Sequence, residues 1–135
     1  LKGDKGLSWA LFGDGGSSSN DFHSGLNFAG VSKAPVVFVC TNNGWAISVP
    51  LSKQTASESI AIKAEAYGMP GRRVETGAEV EQAVREALEQ PGPALVEFQI
   101  EQEANVFPMI PPGASLSEPI EAEPGRLVSA AVALS

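Results

Sequence analysis

Val36-Val37-Phe38-Val39-Cys40 is an unbroken apolar and β-branched run with no polar alternation. A strand that offers no polar face must be covered on both, which happens at the centre of a parallel sheet. Ala34-Pro35 precedes the run and Asn42-Asn43 follows it. An earlier apolar run, Leu7 to Phe12, ends directly in Gly13-Asp14-Gly15. Between the two, Phe22, Leu26 and Ala29 recur at helical spacing, so residues 21–32 are expected to form a short amphipathic helix. Strands joined through one crossover helix run parallel, and both polar signatures then emerge at the same sheet edge. Open α/β sheets bind ligands there, outside the carboxyl ends of their strands. One carboxylate and one amide oxygen beside a helix N-terminus suit a divalent cation holding phosphate.

The rest of the chain repeats the alternation of strands and helices. Asn42 to Pro50 reads as a loop. Thr55-Ala56-Ser57-Glu58 has the spacing of a capping box opening a helix through Ile60, Ala64 and Tyr67, which Gly68-Met69-Pro70-Gly71 ends. Arg73-Val74 reads as a short strand. Thr76 and Glu79 form a second capping box before a stripe of Val80, Ala83, Val84, Ala87 and Leu88. Ala94, Val96, Phe98 and Ile100 alternate with Glu97 and Gln99, the pattern of a half-exposed strand near the sheet edge. These elements define an α/β fold, a three-layer sandwich with a mainly parallel sheet. Five of the ten prolines fall between Pro108 and Pro124, so 102–135 is expected to be an extended arm packed on the 1–101 domain through Val106, Phe107, Met109 and Ile110. A short helix through Leu127, Val128, Ala131 and Leu134 would follow.

The formal charge of −7 disfavours nucleic acid, and it opposes an anionic cofactor unless a bound cation intervenes. No apolar run is long enough to span a bilayer, so neither membrane nor nucleic acid is an expected partner. The lone Cys40 forms no internal disulfide and fits a reducing, cytoplasmic setting, as a small buried residue. The acidic run Glu79, Glu81, Glu86 and Glu89 reads as a solvated helix face, and Arg72 and Arg73 as surface charge.

Gly13-Asp14-Gly15, twenty-six intervening residues and Asn42-Asn43 together resemble the cofactor motif of thiamine-diphosphate (ThDP) enzymes. Asp21-Phe22-His23, Leu26 to Ala29, Lys33 to Phe38, Asn43 to Pro50 and Gln54 to Glu58 are similar to the alpha subunit of 2-oxo acid dehydrogenase decarboxylating components; this likeness covers residues 1–70. Residues 71–118, most clearly Glu103 to Gly113, resemble instead the C-terminal part of acetolactate synthase catalytic subunits.

The resemblance implies the ThDP-binding fold, in N-terminally truncated form, with ThDP and Mg²⁺ as cofactors. It assigns the metal to the Asp14 carboxylate, the Asn43 amide oxygen and the Trp45 main-chain carbonyl. Gly13, Gly15, Gly16 and Ile47 join these three as cofactor contacts, with Gly15 and Gly16 offering N–H groups to phosphate. In the family a second, pyrimidine-binding domain supplies an activating glutamate. No glutamate of this chain matches that role, and no catalytic residue is assigned. The expected partners are therefore the cofactor, a pyrimidine-domain chain and further copies of this chain, with Phe22, Phe28 and Trp45 as exposed apolar candidates. Two functions remain open: the binding domain of an enzyme decarboxylating 2-oxo acids, or a diphosphate-binding module or scaffold without turnover.

Overall fold

The apolar runs on either side of the Gly-Asp-Gly turn pair directly with each other. In the computed structural model, which describes residues 6–102 and 108–121, β1 (Ser8–Gly13) lies parallel to β2 (Val36–Asn42), with Gly13 opposite Thr41. The crossover between them is α1 (Asn20–Ser32), entered through a 3-10 turn over Asp14–Ser18. Of the candidate caps, Ser19 is the one used: its Oγ accepts from the Phe22 N–H at 3.2 Å. Lys33 closes the helix in the left-handed conformation before Pro35.

The Asn42–Pro50 stretch is more regular than a loop. β3 (Trp45–Ala46) and β4 (Val49–Pro50) form a two-residue-turn hairpin, with Ile47 at φ 58. A positive φ is unusual for a β-branched residue, and here Ile47 is fully exposed at the hairpin tip. Helix α2 (Ile60–Ala66) is capped by Ser59 rather than by Thr55. Thr55 instead closes a local turn, its Oγ1 accepting from Ser57 N. After β5 (Gly71–Val74), the Thr76–Glu79 capping box forms as expected and leads into α3 (Val80–Leu88). Leu88 is an exception to the apolar stripe and stays half exposed.

The main sheet has the order β1-β2-β6-β5, all neighbours parallel, where β6 is Ala94–Gln99. Its interior position corrects the expectation of an edge strand. Alternation suggested that Glu97 faced solvent, but Glu97 is fully buried and its face is covered by α2. Helices α1 and α2 cover one face through Leu26, Ala29, Ile60, Ala61 and Ala64 against Cys40 and Leu95. Helix α3 covers the other, with Ala83 and Ala87 on Val37, Val74 and Val96. This is the three-layer arrangement.

Beyond α3 the second face keeps exposed apolar side chains. Trp9 and Leu11 of the edge strand are 47% and 75% exposed, and on the outer side of α1 Phe28 and Val31 are exposed too. Phe22, by contrast, packs inward, 5.2 Å from the Phe12 ring.

Cys40 has no solvent exposure, and burial first, then the nearby Glu97 and Asp14 carboxylates, push its thiol up to about 12. The thiolate is the reactive form. Cys40 is therefore expected to resist alkylation at mildly alkaline pH until the chain is unfolded; rapid labelling of the folded protein would contradict this packing.

The chain divides into two compact units, Leu1–Gln102 and Glu103–Ser135. Within the second, Met109 and Ile120 exchange backbone hydrogen bonds at 3.0 and 2.8 Å, closing a loop that turns at Gly113. Residues 109–120 are thus folded back on themselves rather than extended. The expectations for Val106, Phe107 and a helix through Leu127 and Leu134 lie outside the described residues. Among the described residues no helix is long and apolar enough to cross a membrane.

Candidate functional site

The parallel register sets Asp14 just past the end of β1 and Asn42 at the end of β2, at one edge of the sheet. Contact between the two segments is close. A Cβ added at Gly15 would lie 2.6 Å from the Ala46 Cβ, so the turn backbone nests against the hairpin and only glycine permits it. The Asn43 N–H and the Gln54 side chain both approach the Asp14 carboxylate closely enough to lower its pKa. Gln54 also ties the site together, accepting from Ser18 Oγ at 3.3 Å and donating to the Val49 carbonyl at 3.0 Å.

Asp14 is 1% exposed, and its Oδ2 has no hydrogen-bond partner among the described residues. Burial raises the pKa of this carboxyl, and the Glu97 charge acts in the same direction; hydrogen bonds from its own N–H, from Asn43 and from Gln54 oppose them. A buried carboxylate oxygen with nothing to bind it is costly. It is also the arrangement a cation would relieve.

The remaining oxygens lie on the adjacent loop. Asn43 Oδ1 accepts from the Trp45 N–H at 3.0 Å, and an amide oxygen retains a second lone pair. Trp45 faces Pro50 in a non-hydrogen-bonded pair, next to the hydrogen-bonded Gly44–Leu51 pair, so the Trp45 carbonyl points away from the partner strand of the hairpin. The 3-10 turn starts at Asp14, and the first N–H groups of such a turn have no partner within it. Gly16 tolerates a Cβ, its nearest neighbour being Phe12 Cβ at 3.5 Å, whereas Gly15 does not. Gly13 ends the strand in extended conformation. Ile47, at the hairpin tip, projects into solvent.

Four contributors escaped the sequence reading. Gln54 bridges the turn and the hairpin. Lys63 on α2 places Nζ 3.3 Å from both the carbonyl and Oγ of the buried Ser17, beneath the turn, and burial lowers its pKa. Glu97 is buried against Asn42, and Ser59 joins it from α2. Lys63 and Ser59 sit on a helix whose placement over the turn no local pattern reveals. Glu97 did carry a signal, a polar residue inside an apolar strand, but alternation assigned it to solvent. His23 lies on α1 with its Nδ1 3.2 Å from the Tyr67 hydroxyl. Arg72 lies near Glu79 and Glu86 on the surface, and Arg73 pairs with Glu75 at 3.0 Å.

This fold and the turn at its sheet edge define a class. The structure superimposes on a benzoylformate decarboxylase from Polynucleobacter necessarius with a TM-score of 0.60, over 73% of this chain and 20% of that one, at 23% identity. That likeness shows the shared α/β fold. Residues 1–100 match the family model "Dehydrogenase E1 component", and the chain belongs to that family. The match continues past residue 70, into the part that sequence wording likened to acetolactate synthases. The chain is 50% identical over 96 residues to the 2-oxoisovalerate dehydrogenase subunit alpha of Bacillus subtilis, covering 67% of this chain and 29% of that protein. It is 46% identical over 102 residues to the pyruvate dehydrogenase E1 component subunit alpha of Staphylococcus aureus, covering 71% and 28%. It thus spans less than a third of the length of these relatives.

Proposed function

We propose that this chain binds ThDP through Mg²⁺ at the β1–β2 sheet edge, as the diphosphate-holding part of a 2-oxo acid decarboxylating E1 enzyme. The buried, unpartnered Oδ2 of Asp14 carries the proposal. Asp14, the Asn43 amide oxygen and the Trp45 carbonyl would hold the metal, an all-oxygen set suited to a hard cation. Gly13, Gly15 and Gly16 would leave the turn backbone open to phosphate, and Ile47 would meet the cofactor from the hairpin. The donors fit the group: one carboxylate and two neutral oxygens keep the metal's charge available for an anionic ligand. ThDP, when bound, supplies carbanion stabilisation, leaving binding, orientation and electrostatics to the protein.

The chain's own residues would contribute in stated ways. Burial of Asp14 excludes water from the metal's strongest ligand. Asn43 fixes the loop through Trp45 N–H, aiming the neighbouring carbonyl. Lys63 braces the turn from below through Ser17. The 2-oxo acid substrate class follows from the names of the alpha-subunit relatives. A pyrimidine-domain chain and further copies of this chain are the proposed partners, supported by the bare apolar residues Trp9, Leu11, Phe28 and Val31.

Calorimetry with ThDP, with and without Mg²⁺, tests this. ThDP is expected to bind only with the metal, and thiamine, which lacks the diphosphate, not at all. Equal affinity for the two ligands, or ThDP binding indifferent to Mg²⁺, would overturn the proposal.

A further inference from the structure

We infer that Glu97 is a positioning residue whose buried carboxylate sets the Asn42–Trp45 loop that presents Asn43 and the Trp45 carbonyl. The inference rests on the metal–diphosphate reading of that loop.

Glu97 has no solvent exposure, yet both of its oxygens are engaged. Oε1 accepts from Asn42 Nδ2 at 2.6 Å. Oε2 accepts from the Ser59 hydroxyl and from the Ala61 N–H, the latter at 3.0 Å, at the first turn of α2. This direction of bonding fixes the Asn42 amide. Because Nδ2 is committed to Glu97, Oδ1 must face the other way, where it accepts from the Gly44 N–H at 2.8 Å. Gly44 sits at φ 81, and its carbonyl accepts from Leu51 N at 2.8 Å, which closes the base of the hairpin. The Asn42 carbonyl is held as well, by Ile100 N and by Gln99 Nε2, each at 2.9 Å. Asn42 is therefore clamped on every polar atom these bonds describe, and Glu97 selects which way round its side chain sits.

The choice of a carboxylate follows from the donors around it. Three converge on Glu97: an amide N–H, a hydroxyl and a backbone N–H. A carboxylate accepts all three, whereas a glutamine would turn its own NH₂ towards one of them. Buried polar groups are retained where every member is satisfied, and removing one member exposes the rest. A solvated face or a packing role would ask for none of this. Leucine or valine fills a β6 position at lower cost, as Leu95 and Val96 show. Glu97 also lies close enough to Asp14 to raise its pKa, so its charge adds to the negative field a cation would meet.

The test compares wild type, Glu97→Gln, Glu97→Ala and Val74→Ala; the last removes volume from the opposite core and serves as a stability control. Hydrogen exchange of the Gly44 amide in the metal-free protein is the first readout. Both Glu97 variants should speed that exchange by ~10-fold or more while amides at the centre of β2 and β6 keep their protection, and Val74→Ala should leave Gly44 unchanged. Mn²⁺ affinity in the presence of ThDP, followed by electron paramagnetic resonance, is the second, with an expected loss of ~10–100-fold for the Glu97 variants. If Glu97→Ala does not fold, Glu97→Gln carries both measurements. Gly44 exchange unchanged in Glu97→Gln, or a loss of Mn²⁺ affinity no greater than in Val74→Ala, would overturn the inference. Wild-type protein that fails to bind Mn²⁺–ThDP would instead overturn the function proposed above, while the Gly44 measurement would still decide the role of Glu97.

Discussion

Asp14→Asn is expected to make the metal-free protein more stable at neutral pH and to destroy Mg²⁺-dependent ThDP binding. Both effects come from one oxygen. Oδ2 of Asp14 is buried without a partner, and burial, reinforced by Glu97, holds the pKa of the carboxyl above its usual 3.8. An acid whose folded pKa exceeds its unfolded value binds its proton more tightly in the folded state. Its contribution to stability is full below the unfolded pKa and is lost as pH rises through the raised folded value. At neutral pH the group therefore works against the fold unless a cation meets it. Asparagine removes the charge at almost constant shape, so a gain of about 1–3 kcal/mol is expected. For a domain of this size that is roughly 5–15 °C in Tm. The variant should also lose the part of the pH dependence above 3.8 that Asp14 causes. Cofactor affinity should fall at least ~100-fold, since even outer-shell partners of a metal are worth ~10–100-fold. Thermal melts across pH with parallel calorimetry would check this, and a less stable variant that still bound ThDP would refute the assignment.

Gly71→Ala should do the most damage to the fold itself. A Cβ at Gly71 would collide with the carbonyl of Ala61, whose carbon would be 2.7 Å away. The obstacle is backbone in the first turn of α2, which cannot rotate aside as a side chain would. That same turn carries Ser59 and Ala61, the groups that bind Glu97. Overpacking of this kind costs ~1–3 kcal/mol or more, so a fall of roughly 5–20 °C in Tm is expected. Gly25→Ala provides the contrast: nothing lies within 4 Å of its added Cβ, and it sits inside α1. It should stabilise by about 0.5–1 kcal/mol through the lost freedom of glycine. Melting curves that placed the two variants alike would show that α2 does not press on β5 as described.

Much of this architecture is legible in the sequence. The unalternating Val36–Cys40 run placed β2 at the centre of the sheet, because a strand without a polar face has nowhere else to go. Periodicity located α1 and α3, and the Thr76–Glu79 box marked the entry to α3. Spacing alone brought Asp14 and Asn42-Asn43 to one sheet edge, since a single crossover admits no other arrangement. These are local signals, each written in a dozen residues or fewer.

The failures are equally specific. Alternation along β6 assigned Glu97 to solvent, because a period of two distinguishes faces without saying what covers them. Helix α2 arrives over that face from a different part of the chain and supplies Ser59 and the Ala61 N–H, turning a nominally outward carboxylate into a buried hub. Thr55 and Ser59 both have the chemistry of a cap, and the tertiary position of Glu97 singles out Ser59 by giving its hydroxyl a second partner. Phe22 looked free for an interface, yet Phe12 draws it inward. The sequence by itself thus determined where the main-sheet strands and the helices lie, and that Asp14 and Asn42-Asn43 each follow a strand, because those depend on neighbours along the chain. Tertiary structure alone decided that Asp14 is left with an unpartnered oxygen and that Glu97 orients Asn42, because burial and hydrogen-bond satisfaction depend on neighbours in space.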